Sequence, residues 1–346
     1  MKVSFNDYLK TSTEEITPQI INFFSTEEKN VLTLTPKIKN LYTIYSESAL
    51  GGKVLRGTLV KLGYQLINPK FDPEILKVAA AVEILHAALL IHDDIADKSS
   101  TRRGKPSLYF ALGQDHYGIS QALLLGDLGL YYPIKIISES GFEARLKNEA
   151  ILNLSEIVVK TILGEILDVA CSRSGEKKEE KDVLSIHKLK TAYYTISGPL
   201  SIGALLAGGS QNQIQKITEF GRDLGIAFQI QDDILGVFGN ELVLGKSVTS
   251  DVEEGKNTLL IIHALKKASR DQKQFLNKYY GKGKIDISKY QIVREIFEKT
   301  GSLEYSRSIK MKYVQKAKKN IPFLTKNQAT RNLLVQLSDF LVNRSK

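Results

Sequence analysis

Few residues of this sequence can form covalent cross-links or bind soft metals. Among its 346 residues there is one cysteine, Cys171. One thiol excludes a disulfide within the chain, and it also excludes a zinc site built from several thiolates. Such cysteine usage is typical of a reducing compartment, and we expect the protein to be cytoplasmic.

Long apolar segments are also missing from the sequence. Between Met1 and Lys10 there is no apolar stretch like that of a signal peptide. No uninterrupted apolar run approaches the roughly 20 residues that span a bilayer. The best candidate, Gly198 to Gly209, is short and rich in glycine, which is typical of a buried helix. We therefore expect no transmembrane segment.

Strand-like patterns are absent, whereas helical patterns occur almost throughout. No alternating runs lie between Asn-Gly or Asp-Gly turns. Apolar residues recur instead three and four positions apart, as in Val78, Ala81, Val82, Leu85, Ala88 and Leu89, and in Ile151, Leu154, Ile157, Val158 and Ile162. The prolines fall mainly between such segments, at Pro18, Pro36, Pro69, Pro73, Pro106 and Pro322. The sequence predicts one all-α domain over residues 1–346.

The net charge of +10 favours anionic partners without identifying one. The lysines after Ala264 are spread through helical sequence and belong to no recognised nucleic-acid module, so we expect no nucleic acid partner. Weak attraction to anionic lipid is a second interpretation of these lysines. The mixed acidic and basic run from Gly175 to Asp182 predicts a solvated loop.

Two aspartate pairs, about 140 positions apart, each follow an apolar helical run. The first pair is Asp93-Asp94, and Asp97 follows Asp93 one turn later on the same helical face. Carboxylates at that spacing repel each other and destabilise a helix, so their presence indicates a bound cation. Magnesium is usually held by one or two carboxylates together with substrate phosphates. A solvated helix end is the alternative for this cluster alone.

The second pair, Asp232-Asp233, closes the apolar segment that begins at Phe228. Its presence in the same chain favours a shared function over two solvated helix ends. Carboxylate clusters that face each other would bind several magnesium ions bridging one polyanion. The second pair therefore extends the prediction from a metal ion to a metal-bound phosphate compound.

Glycine stands next to fixed cations at three further places. These are Gly51-Gly-Lys-Val-Leu-Arg56, Arg102-Arg103-Gly104, and Gly245-Lys246 through Asp251 to Gly255-Lys256. Glycine permits close approach of the backbone, arginine binds phosphate through a planar fork, and lysine acts as a point charge. Chemistry that releases diphosphate needs such cations beside the metal to stabilise the developing negative charge.

In order and spacing these motifs resemble the trans-isoprenyl (polyprenyl) diphosphate synthases. The shared order is Gly-Gly-Lys-x-x-Arg, Glu-x-x-His before Asp-Asp-x-x-Asp, Arg-Arg-Gly, Gly-Asp, Lys-Thr, Phe-Gln-x-x-Asp-Asp, and Gly-Lys-x(4)-Asp-x(3)-Gly-Lys. The resemblance runs from about Gly51 to Lys256, and the form Asp-Asp-Ile-Leu-Gly resembles the archaeal geranylgeranyl diphosphate synthases in particular. It implies the isoprenoid synthase fold, a single-domain bundle of antiparallel helices around a central cavity for the prenyl chain.

The resemblance also implies a role for each matching residue. Asp93 and Asp97 would ligate two magnesium ions with support from Asp94, and Asp232, paired with Asp233, would ligate a third. The allylic diphosphate would be contacted by Arg102, Lys190, Lys246 and Lys256. The diphosphate of isopentenyl diphosphate would be held by Lys53, Arg56, His86 and Arg103. The reacting prenyl groups would be lined by Thr191, Phe228 and Gln229.

The implied reaction is a head-to-tail condensation in three steps: ionisation, condensation and elimination. Magnesium and the cations draw diphosphate from dimethylallyl, geranyl or farnesyl diphosphate. The double bond of isopentenyl diphosphate attacks the resulting carbocation, and a proton then leaves to the released diphosphate. No side-chain nucleophile is needed, in keeping with a chain that has no Ser-His-Asp or Cys-His signal. The resemblance further implies a homodimer.

A few positions depart from the family pattern. Gly236 stands where many members have the third aspartate of the second motif, and the archaeal members share this form. Val54, Gly57 and Glu165 replace the usual arginine, proline and glutamine. Each change leaves the principal ligands in place. We therefore expect an active enzyme in which loss of a first-motif aspartate lowers turnover more than a change at position 236.

Product length in this family depends on the residues below the first aspartate motif. None of the three residues in this part of the helix is aromatic: Leu85, Ala88 and Leu89. Tyr131 and Tyr132, on a neighbouring segment, could close the cavity instead. We expect a C20 product, geranylgeranyl diphosphate. A product of C25 or longer is the alternative, as is an ordinary core or interface role for both tyrosines.

Two other functions share parts of this pattern. A terpene cyclase has an aspartate-rich helix end in an all-α fold, but it usually lacks the Arg-Arg-Gly cations and the second aspartate pair with its trailing lysines. A non-catalytic regulatory subunit of a heteromeric synthase tends to lose one aspartate cluster, whereas both are intact here. Magnesium-dependent turnover by the isolated protein separates an enzyme from such a subunit.

Overall fold

The computed structural model describes residues 4–173, 179–240 and 248–343. Within these ranges nearly every element is helical. The one sheet found there is a hairpin of two-residue strands, β1 (Thr101–Arg102) and β2 (Lys105–Pro106). The predicted all-α fold class is confirmed.

The described helices follow one another along the chain. They are α1 (Phe5–Leu34), α2 (Lys39–Ala49), α3 (Leu55–Ile67), α4 (Glu74–Ala96), α5 (Leu108–Ala111), α6 (His116–Glu139), α7 (Ala144–Arg173), α8 (Glu180–Ile186), α9 (Gly198–Leu206), α10 (Gln211–Phe238), α11 (Ser250–Glu254), α12 (Leu259–Lys267), α13 (Arg270–Tyr279), α14 (Ile287–Lys299), α15 (Ser302–Leu324) and α16 (Gln328–Asn343). A 3-10 turn (Pro36–Ile38) precedes α2, and a π-helical segment (His187–Ser197) joins α8 to α9.

The chain groups into two compact units. Unit 1 comprises Met1–Glu156, Gly198–Thr218 and Leu324–Leu333. Unit 2 comprises Ile157–Ser197, Glu219–Phe323 and Leu334–Lys346. The first aspartate motif lies in unit 1, and the second lies in unit 2.

Helix α4 is the core helix of unit 1. It packs against α1, α3 and α6, and almost every residue between Ile75 and Ala88 is buried. The helix is long and apolar enough to cross a membrane, but 72% of its most apolar 18-residue stretch is buried. The most membrane-like described segment is therefore α4 and not Gly198–Gly209, and its burial is typical of the core helix of a globular protein.

The core of unit 2 lies on one face of α10. Ile226, Ile230, Ile234 and Val237 recur at helical spacing and are buried among apolar residues of α12 and α14. Asp232 is on the less buried side of the same helix. The apolar stripe of α10 thus fixes which of its aspartates solvent can reach.

The predicted position of two prolines between helices is wrong. Pro18 and Pro322 lie inside α1 and α15 and not between helices. A proline inside a helix costs about 3 kcal/mol or more. Around Pro18 the burial of Ile16 and Ile20 offsets that cost and keeps α1 continuous.

The predicted loop from Gly175 to Asp182 is also wrong in its described part. Residues from Glu180 to Asp182 form the first turn of α8. The Asp182 carboxylate accepts a hydrogen bond from the N–H of Glu179 at 3.0 Å, and this bond favours the start of a helix. The beginning of the run lies outside the described residues.

Candidate active site

The first aspartate motif occupies the C-terminal end of α4 in unit 1. Asp93 and Asp97 are half-buried, and a carboxylate oxygen of one lies within 4.8 Å of an oxygen of the other. Both groups are hard oxygen donors on one helical face, which is the ligand type that magnesium prefers. This donor set therefore fits a divalent cation, because a cation there relieves the repulsion between the two carboxylates.

Asp94 is the buried member of this motif and is held by Arg102. The Nε of Arg102 donates to Oδ1 of Asp94 at 2.9 Å, and its Nη2 donates to Oδ2 of Asp93 at 3.0 Å. Burial raises the pKa of Asp94 to about 6, while Arg102 opposes the increase and the carboxylates of Asp93 and Asp97 add to it. Asp94 therefore supports the motif through Arg102 and leaves Asp93 and Asp97 as its more accessible carboxylates.

The hairpin after α4 separates two neighbouring arginines. Arg103 and Gly104 form its turn with φ values of 54° and 73°. Arg102 points to the aspartates, whereas Arg103 lies against the glycine-rich loop, since a Cβ on Gly52 would come 2.9 Å from Nη2 of Arg103. One short turn thus delivers cations to two different places in unit 1.

The glycine-rich loop before α3 is the second of these places. Gly51 and Gly52 adopt φ values of 98° and 85°, which glycine tolerates without steric cost. Arg56 follows in the first turn of α3, and the buried His86 of α4 has Arg56, Arg102 and Arg103 as charged neighbours. The predicted isopentenyl diphosphate residues Arg56, His86 and Arg103 therefore meet in unit 1, and Lys53 is exposed on the adjoining loop.

His86 is neutral near pH 7. Burial holds the pKa of His86 well below its ordinary value, and the three nearby arginines act in the same direction. A neutral imidazole can still donate one N–H to a phosphate oxygen. His86 can therefore contribute a hydrogen bond to an anion without adding charge.

The low pKa of His86 predicts a loss of stability in acid. As the pH falls below 6.5, the unfolded chain takes up a proton at His86 that the folded protein does not bind. Between pH 7 and pH 5 we expect wild type to lose up to about 2 kcal/mol of unfolding free energy relative to His86→Gln. Urea unfolding of both proteins at pH 7, 6 and 5 measures the difference, and a difference independent of pH would contradict a neutral His86.

The second aspartate motif lies inside α10 of unit 2 and not at its end. The helix continues to Phe238 because Ile234 and Val237 extend its buried stripe, so the prediction that Asp232 and Asp233 close the helix is wrong. As in the first motif, the leading aspartate is half-buried and the following one, Asp233, is buried.

Asp233 is held by side chains of α10 and of the π-helical segment. Nε2 of Gln229 donates to Oδ1 of Asp233 at 2.9 Å, and Oε1 of Gln229 accepts from the Thr191 hydroxyl at 2.8 Å. Nε2 of His187 lies 2.9 Å from Oδ2 of Asp233. These contacts make Asp233 a support for Thr191 and Gln229 and leave Asp232 as the more accessible carboxylate of the motif.

Lys190 is paired with two acids of α7. Its Nζ lies 2.8 Å from Oε2 of Glu165 and 2.9 Å from Oδ2 of Asp168. Glu165, where the family usually has glutamine, therefore gives Lys190 a second carboxylate partner. Phe228, which precedes Gln229 on α10, is buried.

The space beside Gly236 is filled by a carboxylate from α11. A Cβ on Gly236 would come 1.8 Å from Oδ2 of Asp251. Asp251 is buried, and Nζ of Lys256 lies 3.3 Å from its Oδ1. Position 236 has no room for a side chain, so its glycine is a packing requirement of this chain. Lys246, the other predicted lysine of this region, lies outside the described residues.

The predicted chain-length residues occupy different surroundings in unit 1. Leu85 and Ala88 are buried, and Leu89 is half-buried. Ala88 faces α6 at Gly129, where a Cβ would come 2.7 Å from the Ala88 Cβ and 2.6 Å from the Tyr45 hydroxyl oxygen. Tyr131 is 71% exposed.

Tyr132 is buried in an aromatic cluster. This aromatic cluster consists of Phe23, Phe24, Tyr42, Tyr45 and Tyr132. The hydroxyl oxygens of Tyr132 and Tyr42 lie 3.2 Å apart, and the rings of Phe24 and Tyr45 meet edge to face at 5.5 Å. Through the Tyr45 hydroxyl the aromatic cluster borders Gly129, which Ala88 also borders.

Two side chains of these sites carry no recognisable sequence signal. His187 reaches Asp233 only because the π-helical segment packs on α10. Tyr45 and Ala88 come together at Gly129 only because α2 and α6 both pack on α4. Glu83, in contrast, is part of the Glu-x-x-His pattern and lies beside Arg56 and Arg103.

Comparison with known proteins places the chain in a family. The sequence profile of the polyprenyl synthetase family matches residues 38–299. A short chain isoprenyl diphosphate synthase of Methanothermobacter thermautotrophicus is 34% identical over 295 residues, which cover 85% of this chain and 87% of the relative. A geranylgeranyl diphosphate synthase of Sulfolobus acidocaldarius is 31% identical over 301 residues, covering 86% and 88%. A geranylfarnesyl diphosphate synthase of Aeropyrum pernix is 33% identical over 301 residues, covering 86% and 91%.

A solved structure agrees with these sequence comparisons. The geranylgeranyl pyrophosphate synthase of Corynebacterium glutamicum, complexed with isoprenyl diphosphate and magnesium, matches with a TM-score of 0.91 at 25% identity and covers 99% of this chain and 100% of that one. The fold is therefore the predicted isoprenoid synthase fold. The chain belongs to the polyprenyl synthetase family and is a prenyltransferase, a trans-prenyl diphosphate synthase.

Proposed function

We propose that this synthase condenses isopentenyl diphosphate with an allylic diphosphate to make all-trans geranylgeranyl diphosphate. The observation that carries the proposal is that two different sites suited to a diphosphate lie along α4. The half-buried carboxylates of Asp93 and Asp97 stand at its end, and His86, two turns earlier, lies among arginines next to the glycine-rich loop. A metal-dependent site and an arginine site without metal ligands suit two diphosphates of which only one has to leave.

Magnesium is the cofactor that these carboxylates fit. We assign two ions to Asp93 and Asp97 and a third to Asp232, since these are the accessible aspartates of the two motifs. When bound, magnesium supplies positive charge that stabilises a leaving diphosphate. Asp94 and Asp233 act through their hydrogen-bond partners Arg102 and Gln229.

The remaining residues bind the substrates and orient them. Arg102, Lys190, Lys246 and Lys256 bind the allylic diphosphate, and Lys53, Arg56, His86 and Arg103 bind isopentenyl diphosphate. The oxygens of Thr191 and Gln229, fixed by their mutual hydrogen bond, face the cationic carbons with their negative dipole ends. Phe228 packs beside the prenyl groups. The carbon–oxygen bond of the allylic diphosphate breaks, a carbon–carbon bond forms, and the released diphosphate takes the proton.

The C20 length is supported by the aromatic cluster. Leu85, Ala88 and Leu89 offer no aromatic stop on α4, but Tyr45 of α2 borders Gly129 beside Ala88, and Tyr42 links Tyr45 to Tyr132. We therefore propose that the aromatic cluster, and not α4 itself, ends the space for the growing chain. The absence of an aromatic residue on α4 itself favours the rival, a C25 product.

Tyr132→Ala is expected to lengthen the product, because it removes a buried ring from the aromatic cluster. The main product should move from C20 to C25 or longer in reactions with farnesyl diphosphate and radiolabelled isopentenyl diphosphate. Tyr131→Ala is the matched control, since Tyr131 is the neighbouring tyrosine and is mostly exposed. Unchanged products from Tyr132→Ala would contradict the aromatic stop, and longer products from Tyr131→Ala alone would place the stop at the surface of α6.

The experiment that tests the proposed function is product analysis by mass spectrometry. Purified protein is supplied with isopentenyl diphosphate and, separately, with dimethylallyl, geranyl and farnesyl diphosphate. A single C20 product supports the proposal, whereas a C25 product or a ladder beyond C30 replaces it with a longer-chain synthase. No condensation with any primer would favour a non-catalytic subunit of a heteromer.

We further propose a cytoplasmic homodimer in which residues 1–346 act as one catalytic domain. The outer side of α6 exposes Leu124 and Tyr131, which line an apolar groove together with Ile38 and Leu41. Contiguous exposed apolar surface of this kind marks a protein contact. Sedimentation of wild type and of Leu124→Lys checks the dimer, and a monomeric wild type would refute it.

A further inference from the structure

Glu83 lies buried next to the residues assigned to isopentenyl diphosphate. It stands on α4, one turn before His86, and is 6% exposed. Its Oε1 accepts a hydrogen bond from the N–H of Gly57 at 2.7 Å. Gly57 is the third residue of α3, so a carboxylate of one helix satisfies an N–H group in the first turn of another.

Helix α3 depends on such outside support. The residue at its N-cap is Val54, whose side chain has no hydrogen-bond acceptor. The backbone of Val54 is left-handed, with φ 49° and ψ 40°, a conformation that is strained for a β-branched residue. The carboxylate of Glu83 therefore takes the place of a capping side chain and brings negative charge to the positive end of the helix.

Position 57 is adapted to this contact. A Cβ there would come 3.0 Å from the carbonyl oxygen of Ala79 and 3.2 Å from Cγ of Glu83. The proline usual at this position in the family has no N–H and could not donate to Glu83. Gly57 supplies both the N–H and the room, so the hydrogen bond accompanies a departure from the family pattern.

Glu83 is also the counter-ion of two predicted diphosphate ligands. Burial raises its pKa, and Arg56, the N–H groups of Gly57 and Arg56, and Arg103 oppose that increase. The same two arginines are charged neighbours of His86. One buried carboxylate thus interacts with the start of α3 and with both arginines.

We propose that Glu83 is a positioning residue for the isopentenyl diphosphate site. By capping α3 from α4 it fixes the strained loop from Gly51 to Val54 and holds Arg56 and Arg103 for the anion. The inference rests on the proposed function for the identity of that anion. Glu83 supports Arg56 and Arg103, which are assigned to isopentenyl diphosphate. Its loss should therefore weaken binding of that substrate and not of the allylic diphosphate.

The first test is a steady-state comparison of Glu83→Ala with Glu74→Ala. Glu74 is a matched control, since it too lies on α4 and accepts a backbone N–H, from Gly141, at 2.7 Å. We expect Glu83→Ala to raise KM for isopentenyl diphosphate about tenfold or more, with KM for the allylic substrate changed by less than about twofold. Glu74→Ala should change neither KM. Equal increases for both substrates, or none, would overturn the proposal.

The second test measures the cap without catalysis. Amide hydrogen exchange of residues 51–58, followed in substrate-free protein, should become faster in Glu83→Ala and stay unchanged in Glu74→Ala. Glu83→Gln keeps a carbonyl acceptor but lacks the charge, so it should retain amide protection and raise KM for isopentenyl diphosphate about threefold. If Glu83→Ala does not fold, an unchanged KM in Glu83→Gln overturns the proposal.

The two tests also separate this proposal from the proposed function. A wild type without condensation activity would refute the function, whereas the exchange experiment would still show whether Glu83 caps α3. Faster exchange in Glu83→Ala combined with an unchanged KM would show a structural cap with no role in substrate binding, and it would overturn the positioning role.

Discussion

Asp93→Ala and Asp97→Ala are each expected to lower kcat about a thousandfold at saturating magnesium. Each change removes one of two hard ligands whose oxygens lie within 4.8 Å of each other at the end of α4. When this ligand is missing, magnesium neutralises less of the negative charge on the departing diphosphate. Steady-state turnover with farnesyl and isopentenyl diphosphates measures the effect.

Asp97→Ala should not lose stability when magnesium is removed. In metal-free buffer the two carboxylates repel each other, so Asp97→Ala is expected to unfold at the same temperature as wild type or higher. Asp271→Asn, at an exposed aspartate in the first turn of α13, is the control for a charge change elsewhere and should leave kcat unchanged. Turnover of Asp93→Ala and Asp97→Ala within threefold of wild type would contradict their role as ligands.

Gly236→Asp is expected to destabilise the protein by about 3 kcal/mol or more. It introduces the third aspartate that many family members have, but a Cβ at this position would come 1.8 Å from Oδ2 of the buried Asp251. The new side chain would overlap a carboxylate and place a like charge beside it. Urea unfolding measures the loss, and a variant as stable as wild type would refute the packing described for this position.

A double-mutant cycle separates the overlap from the charge. Helix propensity alone predicts that Gly236→Ala stabilises a helix by about 1 kcal/mol, whereas the overlap with Asp251 predicts that it destabilises this one. Adding Asp251→Ala removes the overlapping carboxylate and should recover most of that loss as a coupling free energy. Additive effects would show that Asp251 and position 236 do not compete for space.

Much of the first site could be predicted because its chemistry follows helical spacing. Asp93 and Asp97 share a face of α4 by their separation alone, and the order of motifs is enough to indicate the family. The pairing of Arg102 with Asp94 could not be predicted in the same way. It depends on a hairpin whose turn residues, Arg103 and Gly104, adopt positive φ values that only the folded chain displays.

The second site shows a different limit of sequence reasoning. The sequence suggests that Gly236 removes a carboxylate from the motif. In the folded chain the carboxylate of Asp251 fills that space, a contact between residues of different helices that no periodicity reveals. The tyrosines show the same limit, since adjacent positions on α6 leave Tyr132 buried and Tyr131 exposed. Only the packing of α1 and α2 shows which of them joins the aromatic cluster.

The metal dependence of condensation by the isolated protein tests the proposed function most directly. Farnesyl and isopentenyl diphosphates are incubated with the purified chain in magnesium, and then after chelation with EDTA, and products are identified by mass spectrometry. We expect one geranylgeranyl diphosphate and one diphosphate released per turnover in magnesium, with product formation abolished by EDTA and restored by added magnesium. Condensation that continues unchanged after chelation, or no product in magnesium, would contradict the proposed function.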